Sequence, residues 1–202
     1  DFPLLKNAID LFKKHSVERE VQQLLVAANN HWGVARATDY YICDIEYANP
    51  FGRFDFVAVH WPSSPSKRKQ QTGRRLVLGE VKYGDGALEG AAGLHSHVRD
   101  ASDFLADASR VAALKVEMVE VFNQKMKLGL LKCGKELISF SDQKPMLLLV
   151  LANHDPEKSA LRKLLGSLPP CPNADVRIAS AYLMGYGLFD QAVLTVQQVL
   201  DR

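Results

Sequence analysis

Apolar positions along this chain recur at two different periods, and the change of period divides it into helices and strands. Over residues 3–14, Leu4, Leu5, Ala8 and Phe12 fall along one side of a helix whose opening turn suits Pro3. Ser16 reads as a fresh N-cap, and "VEREVQQLLVAANN" continues as a second helix striped by Val17, Val21, Leu24, Leu25 and Ala28. Strand patterns follow at 38–48 ("TDYYICDIEYA"), 53–60 ("RFDFVAVH") and 75–83 ("RLVLGEVKY"). A long helix is expected over 98–128, where Ala101, Leu105, Ala108, Ala112, Val119, Phe122 and Met126 recur every three or four residues. Asp100, Asp103 and Asp107 at its start and Lys125 and Lys127 at its end suit the helix dipole. The apolar run "MLLLVLA" predicts a further strand, Asp155-Pro156 a cap and first residue for a helix over 156–165, "DVRIASAYLM" a strand over 175–184, and "LFDQAVLTVQQVL" a closing helix. Three successive strands with short links form an antiparallel meander, while later strand-helix-strand units favour parallel crossovers. The expected fold is therefore α/β, a mixed sheet with helices on both faces.

Composition narrows the class without naming a function. A chain of 202 residues, 47% hydrophobic and 24% charged, has the make-up of one soluble domain with a sizeable core. The longest apolar run is a strand's length, far short of the roughly 20 residues of a membrane span. Cys43, Cys133 and Cys171 are odd in number and widely spaced, which argues for reduced thiols in a cytoplasmic setting and against a zinc ribbon or disulfide framework. Opening on Asp1 without a signal-peptide pattern, the chain reads as a piece of a longer protein whose other domains would carry partner information. A net charge of +2 leaves any nucleic-acid contact to a local patch. The obvious patch is "SKRKQQTGRR", with Lys67, Arg68, Lys69, Arg74 and Arg75 and no acid.

Candidate chemistry centres on "RRLVLGEVKYGDG", a buried-strand pattern that nevertheless carries Glu80 and Lys82. Residues two apart on a strand project from one face, so these two stand side by side with Val81 pointing away. The turn "NPFG" at 49–52 closes the first hairpin and sets Glu46 across from Asp55. Facing acids of that kind are unfavourable unless a cation lies between them. The midpoint of the basic loop, near residue 68, brings Asp55 beside Glu80 and Lys82 in the second hairpin. Two turns thus gather Glu46, Asp55, Glu80 and Lys82 on one sheet face; a one-residue slip would undo this.

These residues carry a resemblance. "GRFDFVAV", followed 25 residues after its Asp by "LVLGEVKYG", lies after a helix with paired glutamates and before a long helix, and so resembles the PD-(D/E)XK nuclease superfamily over roughly residues 16–152, with 153–202 as a helix-strand-helix extension of a single domain. Phe54 stands where the family's name has proline. The resemblance implies a restriction-endonuclease-like core of order α-β-β-β-α-β and a hydrolase that cuts DNA phosphodiesters in repair, recombination or defence. Asp55 and Glu80 would hold one or two Mg2+ or Mn2+ ions with the Val81 carbonyl as a further ligand, and Lys82 would position the attacking water or steady developing negative charge. Oxygen-ligated divalent ions of this kind polarise phosphoryl groups and acidify bound water. The additional helix acid of the family is matched by Glu18 in preference to Glu20, and Glu46 by its position is a further metal ligand.

Blander readings stand beside these. Asp55, Glu80 and Lys82 could form a salt-bridged surface patch, and Glu18 and Glu20 are ordinary first-turn helix acids. The basic loop projects from the strand ends away from Asp55, so a solvated linker competes with a DNA contact. In "GLHSH", His97 reads as a phosphate contact or a plainly exposed residue rather than a metal ligand, since oxygen-rich sites rarely need imidazole. The rival function is a catalytically inactive nucleic-acid-binding or assembly module on the same fold. A homodimer is compatible with cutting both strands of a duplex, but no residue pattern calls for one.

Overall fold

The computed structural model describes residues 17–31, 33–154, 159–181 and 185–201. The helix expected over 3–14, the Asp155-Pro156 cap and residues 182–184 of the fifth strand lie outside them. The described residues build a six-stranded open mixed sheet whose spatial order follows the sequence. Strands β1 (Tyr40–Asn49), β2 (Gly52–His60) and β3 (Arg75–Tyr83) form the antiparallel meander. β4 (Met146–Ala152) and β5 (Asp175–Ala181) continue it in parallel, and β6 (Val193–Thr195) closes the far edge antiparallel to β5. The helices are α1 (Val17–Val26), the short α2 (Pro65–Arg68), α3 (Leu94–Leu105), α4 (Ala108–Lys127), α5 (Ser159–Gly166) and α6 (Val196–Leu200). None of the described helices is long and apolar enough to cross a membrane.

Helices cover both sheet faces, unequally. On one face, Val57, Val59, Leu76, Leu78, Leu147 and Leu149 meet Leu94, Val98 and Phe104 of α3 and Leu114, Met118 and Phe122 of α4. On the other, Phe56, Ala58, Val77, Val81, Leu148 and Val150 meet Val21 and Leu25 of α1. α1 runs on into a π-helical turn, Ala27–His31. Its Asn30 side chain exchanges two hydrogen bonds with the Ile42 backbone, satisfying that residue beside the irregularity between Ile42 and Asp44 in the β1–β2 ladder.

Two expected helices are corrected. The single helix over 98–128 is two, because Asp107 adopts an extended backbone and its carboxylate accepts from the Ser109 and Arg110 N–H groups, capping α4 rather than decorating a first turn. The closing helix over "LFDQAVLTVQQVL" is mostly something else. Val193–Thr195 add an edge strand, and Thr195 with Gln198 forms a capping box that starts α6 only there.

The basic loop is tied down by its own arginines. Arg68 stacks over Tyr41 at 4.8 Å and donates to the carbonyls of Arg36 and Thr38. The buried Arg74 lies 5.4 Å from the Trp61 ring and donates to Gln70 Oε1 at 2.7 Å. Trp61 in turn stacks on Phe122 at 5.7 Å and meets Tyr41 edge-on. Arg75 is spent on the Lys144 carbonyl and on Asp175.

Candidate active site

The β2–β3 ladder pairs Phe56 with Gly79 and extends no further toward the start of β2. The next position along each strand brings Asp55 opposite Glu80. Here a side chain takes over from the backbone: Asp55 Oδ2 accepts the Val81 N–H at 2.7 Å. Gly79 is what lets the strands approach, since the Phe56 ring lies over it and a Cβ there would come within 2.0 Å of ring carbon Cζ. Glu80 and Lys82 follow on the α3 face of β3, opposite Leu149 and Leu151 of β4, and each is only 4% exposed. Lys82 Nζ donates to Glu80 Oε1 at 2.8 Å.

His97, in the first turn of α3, completes this cluster. Its Nε2 lies 3.0 Å from Glu80 Oε1, 3.1 Å from Lys82 Nζ and 3.1 Å from the Ala92 carbonyl. A neutral ring can accept from Lys82 through Nε2, whereas a protonated ring donates from it to Glu80 or Ala92. Burial pulls the imidazole pKa down, but hydrogen bonding to Glu80 and the Glu80 charge outweigh it, and the net shift is upward. Asp55 is pushed up to about 7, first by burial and then by the charge of Glu80, against the opposing pull of the Val81 N–H and of Lys82.

The pocket over these groups measures about 480 Å³. Glu18, Asp100 and Asp103 join Asp55 and Glu80 as its acids, and Arg53 and Phe51 stand at the hairpin tip. Of the two helix acids, Glu18 lines the pocket and Glu20 is exposed and does not. Glu46 is not there, although the ladder has it across from Asp55 as the turn predicts. Its backbone is left-handed, with φ of 53°, and this turns the carboxylate toward Arg53 at 2.8 Å and Arg19 of α1 at 3.5 Å. Strict alternation along the strand does not hold through such a residue. The five residues Lys67, Arg68, Lys69, Arg74 and Arg75 lie at the other end of β2 and β3, roughly 17 Å away for five residues of extended strand.

Comparison with family models, curated proteins and solved structures returned no match. Chemistry at the pocket therefore rests on its own donors. Among the described residues, no group of three or more His, Cys, Asp or Glu side chains is disposed to hold a metal ion. Asp55 and Glu80 nonetheless fit an ion of the magnesium type, which takes one or two carboxylates and completes its octahedron with waters and substrate oxygens. Burial first, and then the charge of Glu80, raise the Asp55 pKa, and a cation between the two carboxylates would relieve the second of these. Asp100 and Asp103 are pocket residues that a reading of helix-dipole acids overlooks. Their spacing from His97, at three and six residues along one helix, is the signal that groups them.

Proposed function

We propose that this chain is a divalent-metal-dependent nuclease of the PD-(D/E)XK type, with a restriction-endonuclease-like core, hydrolysing DNA phosphodiesters. The observation that carries the reading is Asp55 facing Glu80 across adjacent strands, with the buried ammonium of Lys82 against Glu80, at the base of an open pocket. The order of helix, antiparallel meander, helix and parallel fourth strand is that of the family's core and supports the same reading.

Asp55 and Glu80 would hold the ion, with the Val81 carbonyl as a further ligand; when bound, it polarises a phosphoryl oxygen and lowers the pKa of water. Glu80 fixes Lys82 Nζ by a 2.8 Å hydrogen bond, so that its charge stands ready beside the negative charge developing on the phosphate. His97 shares Glu80 with Lys82 and restrains both. The expected result is that Asp55→Ala, Glu80→Ala and Lys82→Ala each lower plasmid or oligonucleotide cleavage in magnesium or manganese by at least about a hundredfold. Circular dichroism checks that each variant is folded, and wild-type cutting by Lys82→Ala sinks the assignment.

One observation favours the rival, an inactive nucleic-acid-binding or assembly module: the small donor set. A thermal melt separates the two. An ion that binds only the native protein raises the midpoint, and a melt that manganese leaves unmoved favours the module.

A further inference from the structure

A second cavity, of about 630 Å³, lies behind the acid pocket, bounded by the 88–93 loop, α3 and α5. One stretch of loop is the wall between the two: Ala92 lines the acid pocket, while Ala91 and Gly93 line the other side. That wall is tightly folded. Gly90 has φ of 87°, and a Cβ on Gly93 would meet the Leu88 carbonyl oxygen at 2.6 Å. α3 is split in the same sense, since His97, Asp100 and Asp103 face the acids while His95, Ser96 and Arg99 face the second cavity.

The charge there has the opposite sign. Arg99 from α3 and Lys163 from α5 converge on the cavity, and neither side chain makes a hydrogen bond or ion pair among the described residues. Some cations elsewhere on the surface are paired, as Arg53 is with Glu46 and Lys127 with Glu136; what marks Arg99 and Lys163 is that two cations without a partner among the described residues line one cavity. The hydroxyl of Ser96 adds a donor, while that of Ser167 is engaged with the Lys163 and Leu164 carbonyls; Leu88 and Leu164 supply an apolar floor, and Glu89 is the one acid among the described lining residues. Two unpaired cations with a free hydroxyl recognise a phosphate. The volume is too large for a bare anion and fits one with an apolar organic part.

We infer that this cavity binds a nucleoside phosphate, with Arg99 and Lys163 on the phosphate and the leucine floor under the sugar or base. Its source is either a free mononucleotide or the phosphorylated end of a strand. That the strand's scissile bond then reaches the acid pocket rests on the nuclease reading; phosphate binding itself does not.

The test is therefore binding in EDTA, where cleavage plays no part. Fluorescent oligonucleotides ending in a 5′-phosphate, a 3′-phosphate or hydroxyls are titrated by anisotropy, and a nucleoside monophosphate is titrated as competitor. Preference for one phosphorylated end assigns the strand terminus, and competition by the mononucleotide without end preference assigns the free nucleotide. In either case Arg99→Ala and Lys163→Ala each weaken that binding at least about tenfold, as expected for a lost charge-assisted hydrogen bond. Glu89→Gln tightens it, a gain that misfolding cannot mimic. The inference is overturned if phosphorylated and hydroxyl ends bind alike without competition, or if both alanine variants keep wild-type affinity. A protein that shows this binding yet never cleaves would refute the nuclease reading alone.

Discussion

Replacing Gly79 by alanine tests whether the close approach of β2 and β3 is what assembles the acids. The added methyl would lie 2.0, 2.2 and 2.3 Å from three carbons of the Phe56 ring. That ring is 1% exposed and packed beneath α1, so it has no free space to turn into. Overpacking of this kind costs about 1–3 kcal/mol and occasionally more, offset by roughly 0.5 kcal/mol because alanine has less chain entropy to lose than glycine. With three ring atoms involved, a net loss in the upper part of the resulting range, about 1.5–2.5 kcal/mol, is expected. Urea denaturation measures it. Phe56→Leu removes the obstructing ring atoms, so the double variant should recover about 1–2 kcal/mol relative to the sum of the single changes. Cleavage should fall further than stability accounts for, because Glu80 is the adjacent residue and a displacement of about 1 Å is worth roughly a hundredfold in rate. A Gly79→Ala protein within about 0.5 kcal/mol of wild type, or strict additivity with Phe56→Leu, would refute the packing argument.

Asp55 makes stability fall with pH: its native pKa of about 7 lies above the unfolded 3.8, so the native protein binds the extra proton in between, and stability is lost as pH rises from about 4 to about 7. In EDTA, Asp55→Asn should therefore match wild type near pH 4 and exceed it at pH 8 by roughly 2–4 kcal/mol; melts at the two pH values that differ equally would contradict the cause given. Glu46→Gln, which removes half-buried ion pairs to Arg53 and Arg19 and leaves an amide oxygen for Gln22, should leave metal-dependent cleavage within about twofold of wild type and stability within about 1 kcal/mol; a large loss of cleavage would restore Glu46 as a ligand. Asp107→Ala should cost about 1 kcal/mol in urea titrations by uncapping α4, and no loss would mean that the helix break has another origin.

Much of the site was legible because turns fix register before any tertiary packing is known. "NPFG" at one end set Glu46 against Asp55 and the centre of the basic loop at the other set Asp55 beside Glu80, and the observed registers, Ile45 with Phe56 and Tyr47 with Phe54 in one hairpin and Phe56 with Gly79 in the other, are those that both turns predict. Glu46 escaped because its pairing is as expected but its backbone conformation is not, and hydropathy carries no trace of a left-handed φ on a non-glycine residue. The break at Asp107 lay inside an unbroken apolar stripe, so periodicity overrode a capping residue that points the other way. In the closing segment, apolar spacing suits a helix, while a free edge on β5 offers Val193–Thr195 backbone partners that no local propensity records. In the 66–75 loop, sequence shows five cations but not the rings, carbonyls and carboxylate that engage three of them, Arg68, Arg74 and Arg75.

Those rings have a consequence at the opposite end of the strands. With Arg68 and Arg74 layered on Tyr41 and Trp61, and Trp61 on Phe122, the hairpin is riveted to α4 before its strands begin. Sliding β3 past β2 by a single step would mean prising that whole pile apart, which makes the distant loop the latch that keeps two carboxylates face to face.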